Sequence, residues 1–431
     1  MSAAPRCTAP HGWPAARLSR RLRPRLLLCA ALGLAACGGP APGGKAGAWA
    51  PTLGPASTVV PGPGLPADLP LQPANNNLDV VEHEGALFLT FRTAPDHFAS
   101  ADTVLHILRS DDDGASYSLE QSLALGTDLR EPRFLSHEGV LTLHYALLGD
   151  DPFAFEPQGT EAIRRGADGA WSAPGPIFEG SPAGVGGDTF IPWRTRLLDG
   201  APMMIGYTGG GVLYDFATGE GATTVQWLTQ GAGGAWAPWQ GADPIVLSGG
   251  VSETDLAVDG AGRVVAVGRN EAGDADGFGS KICVAQPGAP MDWDCAHDPR
   301  RYDSPLVFAH EGEIWLVGRR NLNDQDGHFD LGMTELDPNT QSLTYAIDYW
   351  NWPKRCSLWR VDPDALQVSW VADLDSRGDT CFPSLRWRGP HRLELWSYSS
   401  PLDGPDLTWL EGQKGDTHVT MQEVEFVPTE G

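Results

Sequence analysis

Glu253 and Arg269 sit on either side of two short apolar runs joined by a turn. That layout brings a carboxylate and a guanidinium to the same end of a hairpin. The stretch reads Ser252-Glu253-Thr254-Asp255, apolar residues to Val258, turn residues to Gly262, β-branched residues to Val267, and then Gly268-Arg269-Asn270-Glu271. A carboxylate held in place can take or give a proton, and an arginine fork can grip a polar or anionic group. Asp255 supplies a second carboxylate on the same strand. Two carboxylates flanking a sugar suffice for acid and base work in glycoside hydrolysis. Other candidates for that pair are Glu131, Asp303, Asp96, Asp102 and Asp151, all near strand starts or ends.

The same unit recurs along the chain, and repeats are the first thing to look for. Hairpin-like stretches run from Leu78 to Arg92, Arg130 to Tyr145, Ile191 to Thr208, Ser252 to Arg269, Ser304 to Arg319 and Phe382 to Tyr398. Each is followed by a further pair of strand-like runs, so the six units occupy residues 75–426 and leave no room for long helices. Four antiparallel strands repeated radially make a β-propeller, so an all-β, six-bladed propeller of four-stranded antiparallel blades is expected over 72–431. An array of β-sandwiches is the rival, but it gives the hairpin ends no common ring. In a propeller, Arg92, Arg269 and Arg319 leave equivalent strands and Arg130 enters one, so these four would line one mouth and bind substrate. His83, His137 and His310 recur in His-Glu-Gly turns at the opposite end, where they read as exposed turn residues and not as metal ligands.

Composition agrees with a turn-rich β protein: 41% hydrophobic residues, 53 Gly and 36 Pro in 431 residues. The net charge of −25 repels nucleic acid and anionic membrane surfaces, which excludes nucleic-acid partners.

Ser110-Asp111-Asp112-Asp113-Gly114-Ala115-Ser116-Tyr117 resembles the Asp-box (BNR repeat) of the sialidase superfamily of propellers, with Tyr in the last place. Asp168-Gly169-Ala170-Trp171 and Gly233-Gly234-Ala235-Trp236 look like degenerate copies. The resemblance implies a six-bladed propeller in which Glu253 supports a nucleophile, Arg269 binds a substrate carboxylate and Arg319 assists it. The nucleophile of that family is a tyrosine at the start of the sixth repeat, where this chain has Cys381-Phe382-Pro383. Tyr302, at the corresponding strand start one repeat earlier, is the candidate in its place. The function so implied is carbohydrate-active, a glycoside hydrolase acting on an acidic extracellular or periplasmic glycan. A non-catalytic glycan- or protein-binding surface module is the alternative. Of the 16 Trp, most are expected in blade cores and a few at the mouth, against sugar rings.

The N-terminus reads as an export signal over 1–36, with a basic stretch from Arg17 to Arg25 and an apolar core of 11 residues, Leu26 to Ala36. Leu34-Ala35-Ala36-Cys37 resembles the bacterial lipobox, which makes Cys37 the lipidation site and the bacterial cell envelope the location, with the membrane reached by the lipid anchor only. Residues 37–71, rich in Gly, Pro and Ala, read as a tether. Cys283, Cys295, Cys356 and Cys381 remain, an even number that suggests disulfides Cys283–Cys295 and Cys356–Cys381. Zinc on these cysteines is disfavoured because no CxxC spacing is present. No cofactor is expected, except that Asp274-Ala275-Asp276-Gly277 and Asp324-Gln325-Asp326-Gly327 could offer oxygens to calcium. A monomer is expected.

Overall fold

A computed structural model of the chain describes residues 48–152, 156–209, 223–231, 233–241 and 243–429. The signal, the lipidation site Cys37 and the first part of the expected tether lie outside these residues. The remainder is an all-β propeller of six antiparallel blades. Strand β1 (Trp49–Val60) comes first in the chain. Blade 1 follows as β2–β5 (Ala74–His83, Ala86–Ala94, Val104–Ser110, Ser118–Leu123), and blade 2 as β6–β9 (Asp128–His137, Val140–Leu148, Pro157–Arg165, Gly175–Pro176). Blade 3 comprises β10–β14 (Ile191–Leu198, Ala201–Gly209, Thr223–Gln230, Trp236–Pro238, Ile245–Gly249), with β13 and β14 both pairing with β12. Blade 4 is β15–β18 (Val251–Val258, Val264–Asp274, Gly277–Ala285, Trp293–Asp298), and blade 5 is β19–β22 (Leu306–His310, Glu313–Asn321, Lys354–Asp362, Gln367–Asp373). Blade 6 is β23–β25 (Ser384–Trp387, Arg392–Ser399, His418–Pro428), completed by β1 on its outer edge.

Over 49–60, that last pairing corrects the reading of 37–71 as a tether. From Trp49 to Val60 the stretch is an antiparallel strand against β25, with Trp49 opposite Pro428 and Val60 opposite Val419. Its sparse charge and alternating half-buried residues serve an edge strand, which needs only one apolar face. The last blade is therefore built from both parts of the chain. This joins the ring ends and covers the edge of β25.

The expectation of no long helix fails at one place. Pro338–Trp350 forms helix α1 between β20 and β21, started by Asp337, whose side chain accepts from Thr340 N, with Pro at the first turn. A second, short helix, α2 (Trp409–Gln413), begins at a Thr408/Glu411 capping box. Phe278, Phe329, Tyr345, Tyr349 and Trp409 form one buried cluster under the two helices.

The Asp-box turn between β4 and β5 does the structural work its residue types allow. Asp112 accepts from Ser116 N at 2.8 Å, Ser110 Oγ accepts from Gly114 N at 2.8 Å, and Tyr117 is buried. Both expected disulfides are present, Cys283–Cys295 joining β17 to β18 and Cys356–Cys381 joining blade 5 to the start of blade 6. Two of the three turn histidines are not exposed as expected. His83 and His310 are buried, and His83 Nδ1 lies 2.9 Å from Ser136 Oγ of the next blade. The loop read as a calcium site already holds a cation of its own: Lys281 Nζ lies 2.9 Å from Asp274 and 2.6 Å from Asp276.

Candidate functional site at the channel mouth

Every innermost strand enters from the same end of the ring, and every second strand leaves there. Antiparallel pairing sets Asn76 opposite Arg92 in blade 1 and Val251 opposite Asn270 in blade 4. Several inner strands bulge at this end, with register breaks at Asn76/Leu78, Arg130/Arg133, Pro192/Arg194 and Val251/Thr254. Asn77, Glu131, Ser304 and Cys381 take left-handed backbone there, with φ of 44°, 51°, 56° and 82°. A bulge places an extra residue on one strand and re-aims its side chain, at the cost of local strain.

Glu253 and Arg269 meet as their hairpin positions imply, Oε1 to Nη1 at 2.9 Å. Glu253 Oε2 accepts from Ser304 N of blade 5 at 2.7 Å. Arg269 also reaches Glu271 at 2.6 Å and Asp303 at 3.6 Å. Asp303 is the hub of this half of the mouth. It accepts from Arg301 Nε at 2.6 Å, from Arg319 Nη1 at 2.8 Å and from the Tyr349 hydroxyl of α1 at 2.8 Å. Burial alone would raise the Asp303 carboxyl, but Arg301, Arg319 and Arg269 together hold it below the usual carboxylate range. Glu253 is displaced the other way: burial raises it, and Arg269 only partly opposes the rise.

The other half of the mouth is built on Asp128 and Asp379. Arg92 places Nε and Nη2 on Asp128 Oδ1 at 2.9 and 2.8 Å and spends its remaining donors on Asn76 and the carbonyls of Asp96 and Phe98. Arg130 binds Asp128 Oδ2 and the His97 carbonyl. His97, which the sequence pattern did not single out, sits 2.7 Å from Asp379, and Asp379 also accepts from the Tyr398 hydroxyl at 3.1 Å and Trp409 Nε1 at 3.0 Å. Burial lowers the His97 pKa, with Asp379 opposing. Arg319 joins the halves, donating to the Thr380 carbonyl at 2.7 Å and lying 4.6 Å over the Trp409 ring.

The four arginines therefore converge as expected, but each already has an internal carboxylate. The anion pocket expected from them is filled by the protein's own acids. Tyr302 does not face Glu253. Its hydroxyl donates to Asp298 at 2.9 Å and its ring packs edge-on against Trp359 at 5.1 Å, inside the interface of blades 4 and 5. Asp255 is also committed elsewhere. It pairs with Arg196 at 2.8 Å and accepts from Val307 N of blade 5 at 2.7 Å, just as Asp79 accepts from Phe134 N of blade 2 at 2.8 Å. Both aspartates latch neighbouring inner strands together. Asp96 caps its own loop by accepting from Phe98 N, and Asp102 and Asp151 are exposed.

Below the rim the axis is plugged. The Arg133 guanidinium lies 4.1 Å from the Phe382 ring centre and 5.2 Å from that of Trp193, and Trp193 Nε1 donates to the Pro305 carbonyl at 3.2 Å. Phe382, where a tyrosine nucleophile would stand, is part of this floor. Just above it, Glu131 Oε2, Arg133 Nε and Nη2, and Asn76 Nδ2 are buried with no hydrogen-bond partner among the described residues. Buried polar atoms of this kind are rare in a finished core and mark a place where water or a ligand group belongs. Burial pushes the Glu131 carboxyl up to about 7, with Arg133 opposing and the charge of Glu253 adding to the rise. Glu131 stands on blade 2 and Glu253 on blade 4, so that interaction runs between blades.

No family model matches the chain, and no curated protein matches it. Solved structures share its architecture. A Dyadobacter fermentans protein of unknown function aligns with TM-score 0.54 and 15% identity, over 82% of this chain and 95% of that one. Trypanosoma rangeli sialidase in complex with sialic acid aligns with TM-score 0.52 and 12% identity, over 81% of this chain and 54% of the sialidase. The phage phi92 endosialidase aligns with TM-score 0.54 and 10% identity, over 84% and 68%. This chain thus spans about half the length of the trypanosomal sialidase. At such identities the likeness is one of fold: a six-bladed propeller distantly similar in structure to sialidases.

Proposed function

We propose that the channel mouth binds a glycan and hydrolyses it, with Glu131 as proton donor and Glu253 as the opposing carboxylate. The observation behind this reading is the pair itself: two carboxyls from blades 2 and 4, both raised by burial, one with an oxygen that has no hydrogen-bond partner among the described residues. Two carboxyls in one buried site can divide the acid and base roles of glycoside hydrolysis. Glu131 with a pKa of about 7 is protonated at mildly acidic pH and can donate to a leaving oxygen. Arg269 and Ser304 N hold Glu253 in place. Because the rim arginines already carry internal partners, the substrate need not be acidic. The chain is taken to act in the bacterial cell envelope, anchored through Cys37.

The test is hydrolysis of a panel of neutral and acidic chromogenic glycosides by the purified chain. Glu131→Gln and Glu253→Gln are each expected to lower kcat by ~10²–10⁴-fold. Wild-type activity should fall through pH 7 as Glu131 loses its proton, and Glu131→Gln should abolish that limb. The same shift predicts a stability effect. The folded carboxyl titrates above its ordinary value of 4.5, so its stabilising contribution is fully present below that pH and is lost as pH rises through about 7. Within that window wild type should lose up to about 1.4 kcal/mol per pH unit from this group, and Glu131→Gln should not. Activity unchanged in both variants would remove the pair from the reaction. Glycan binding without turnover would favour the alternative, a non-catalytic binding module, which the internal pairing of Arg92, Arg130 and Arg319 supports.

A further inference from the structure

The other end of the ring carries the turns between innermost and second strands, and three of them read His-Glu-Gly. Two of these tripeptides make ordinary contacts: His83 meets Ser136, and His137 lies 3.9 Å from its neighbour Glu138. The third differs. His310, at the end of β19, meets His391 from the equivalent turn of blade 6, with Nε2 and Nδ1 3.1 Å apart. Glu311 Oε1 lies 3.9 Å from the same His391 nitrogen, and the three donor atoms all fall within 4.8 Å of one another.

We propose that His310, His391 and Glu311 bind one divalent transition-metal ion of the zinc class between the turns of blades 5 and 6. Imidazole nitrogens bond zinc at ~2.0–2.1 Å, so two of them on one tetrahedral ion stand about 3.3 Å apart. The spacing here is within a few tenths of an ångström of that. Two imidazoles and one carboxylate suit zinc, copper or nickel, and do not suit calcium, which takes oxygens. The rings are oriented by packing that requires no ion. His310 is stacked on Phe426 at 4.3 Å and on Trp387 at 5.7 Å, and His391 is stacked on Trp49 of β1 at 4.4 Å. Glu311 is half exposed at the turn and free to close on the ion. A cleft of about 300 Å³, lined by Ala309, His310, Glu311, Trp387, Gly389 and Pro390, opens beside two of the three donors. It leaves room for water at a fourth position. The inference is independent of the chemistry proposed for the mouth, which lies at the opposite end.

The test is titration of the full chain, stripped with a chelator, with Zn²⁺, followed by calorimetry and by competition with a chromogenic chelator. One equivalent is expected to bind and to raise Tm. His391→Ala should weaken binding by ~100-fold and Glu311→Gln by ~10-fold, at least the ~10–100-fold that losing even a hydrogen-bond partner of a ligand costs a metal site. Both positions are partly exposed, so the variants should fold, and far-UV circular dichroism checks this. Cu²⁺ bound to wild type should show coupling to two nitrogens in its electron paramagnetic resonance spectrum, and His391→Ala should show one. Absence of saturable binding, or equal binding by wild type and both variants, would reduce the His310–His391 contact to a hydrogen bond between the two rings and overturn the proposal.

Discussion

Asp303→Ala is expected to cost about 3–5 kcal/mol of stability in urea melts at pH 7, because it leaves buried cations without their counter-charge. Arg301, Arg319 and Tyr349 all donate to this one carboxylate, and Arg269 lies 3.6 Å away. None of these guanidiniums can reach water in place of Asp303, and none can shed its proton at neutral pH. Asp303→Asn keeps the volume and one acceptor and should fall in between. The contrast is Asp406, whose bond to Arg355 lies at the surface; Asp406→Ala should change stability by less than about 1 kcal/mol. A loss under ~1 kcal/mol for Asp303→Ala would mean that the mouth is wet and loosely paired, and the low-dielectric site proposed for Glu131 and Glu253 would go with it.

The second large effect concerns ring closure. A chain beginning at residue 61 is expected to be less stable than one beginning at residue 48 by on the order of 5 kcal/mol. The whole β1–β25 ladder goes, at ~0.5–1.5 kcal/mol net per hydrogen bond. Trp49 also leaves its stacking partner His391, and Leu53 leaves the core of blades 5 and 6. The exposed β25 edge should make the shorter chain self-associate, visible in light scattering at matched concentration. Equal melting curves for the two chains would show that blade 6 closes the ring without its outer strand.

Much of the architecture could be read from the chain, because it rests on local, repeated features. The hairpins at 78–92, 130–145, 252–269 and 304–319 follow from period-two apolar runs broken by Gly-containing turns, and such a pattern needs no distant partner to declare itself. The Asp-box at Ser110 to Tyr117 and the pairing of Glu253 with Arg269 are local for the same reason. Strand β1 was missed because a half-exposed edge strand in a Gly- and Pro-rich stretch has the composition of a linker, and its partner β25 lies at the far end of the chain. His97 was missed because it follows no motif; it meets Asp379 only when blades 1 and 6 close the circle.

By itself the sequence determined the number of blades, most of the strand pairs within them and the two disulfides. Tertiary structure alone decided what those residues are free to do. Burial and cross-blade partners assigned Arg92, Arg319 and Asp255 to holding the ring, turned Tyr302 into an interface between blades, and left Glu131 with an oxygen that has no partner among the described residues. The physical reason is that a side chain's charge state and vacancies depend on neighbours from other blades, and sequence order does not carry those distances.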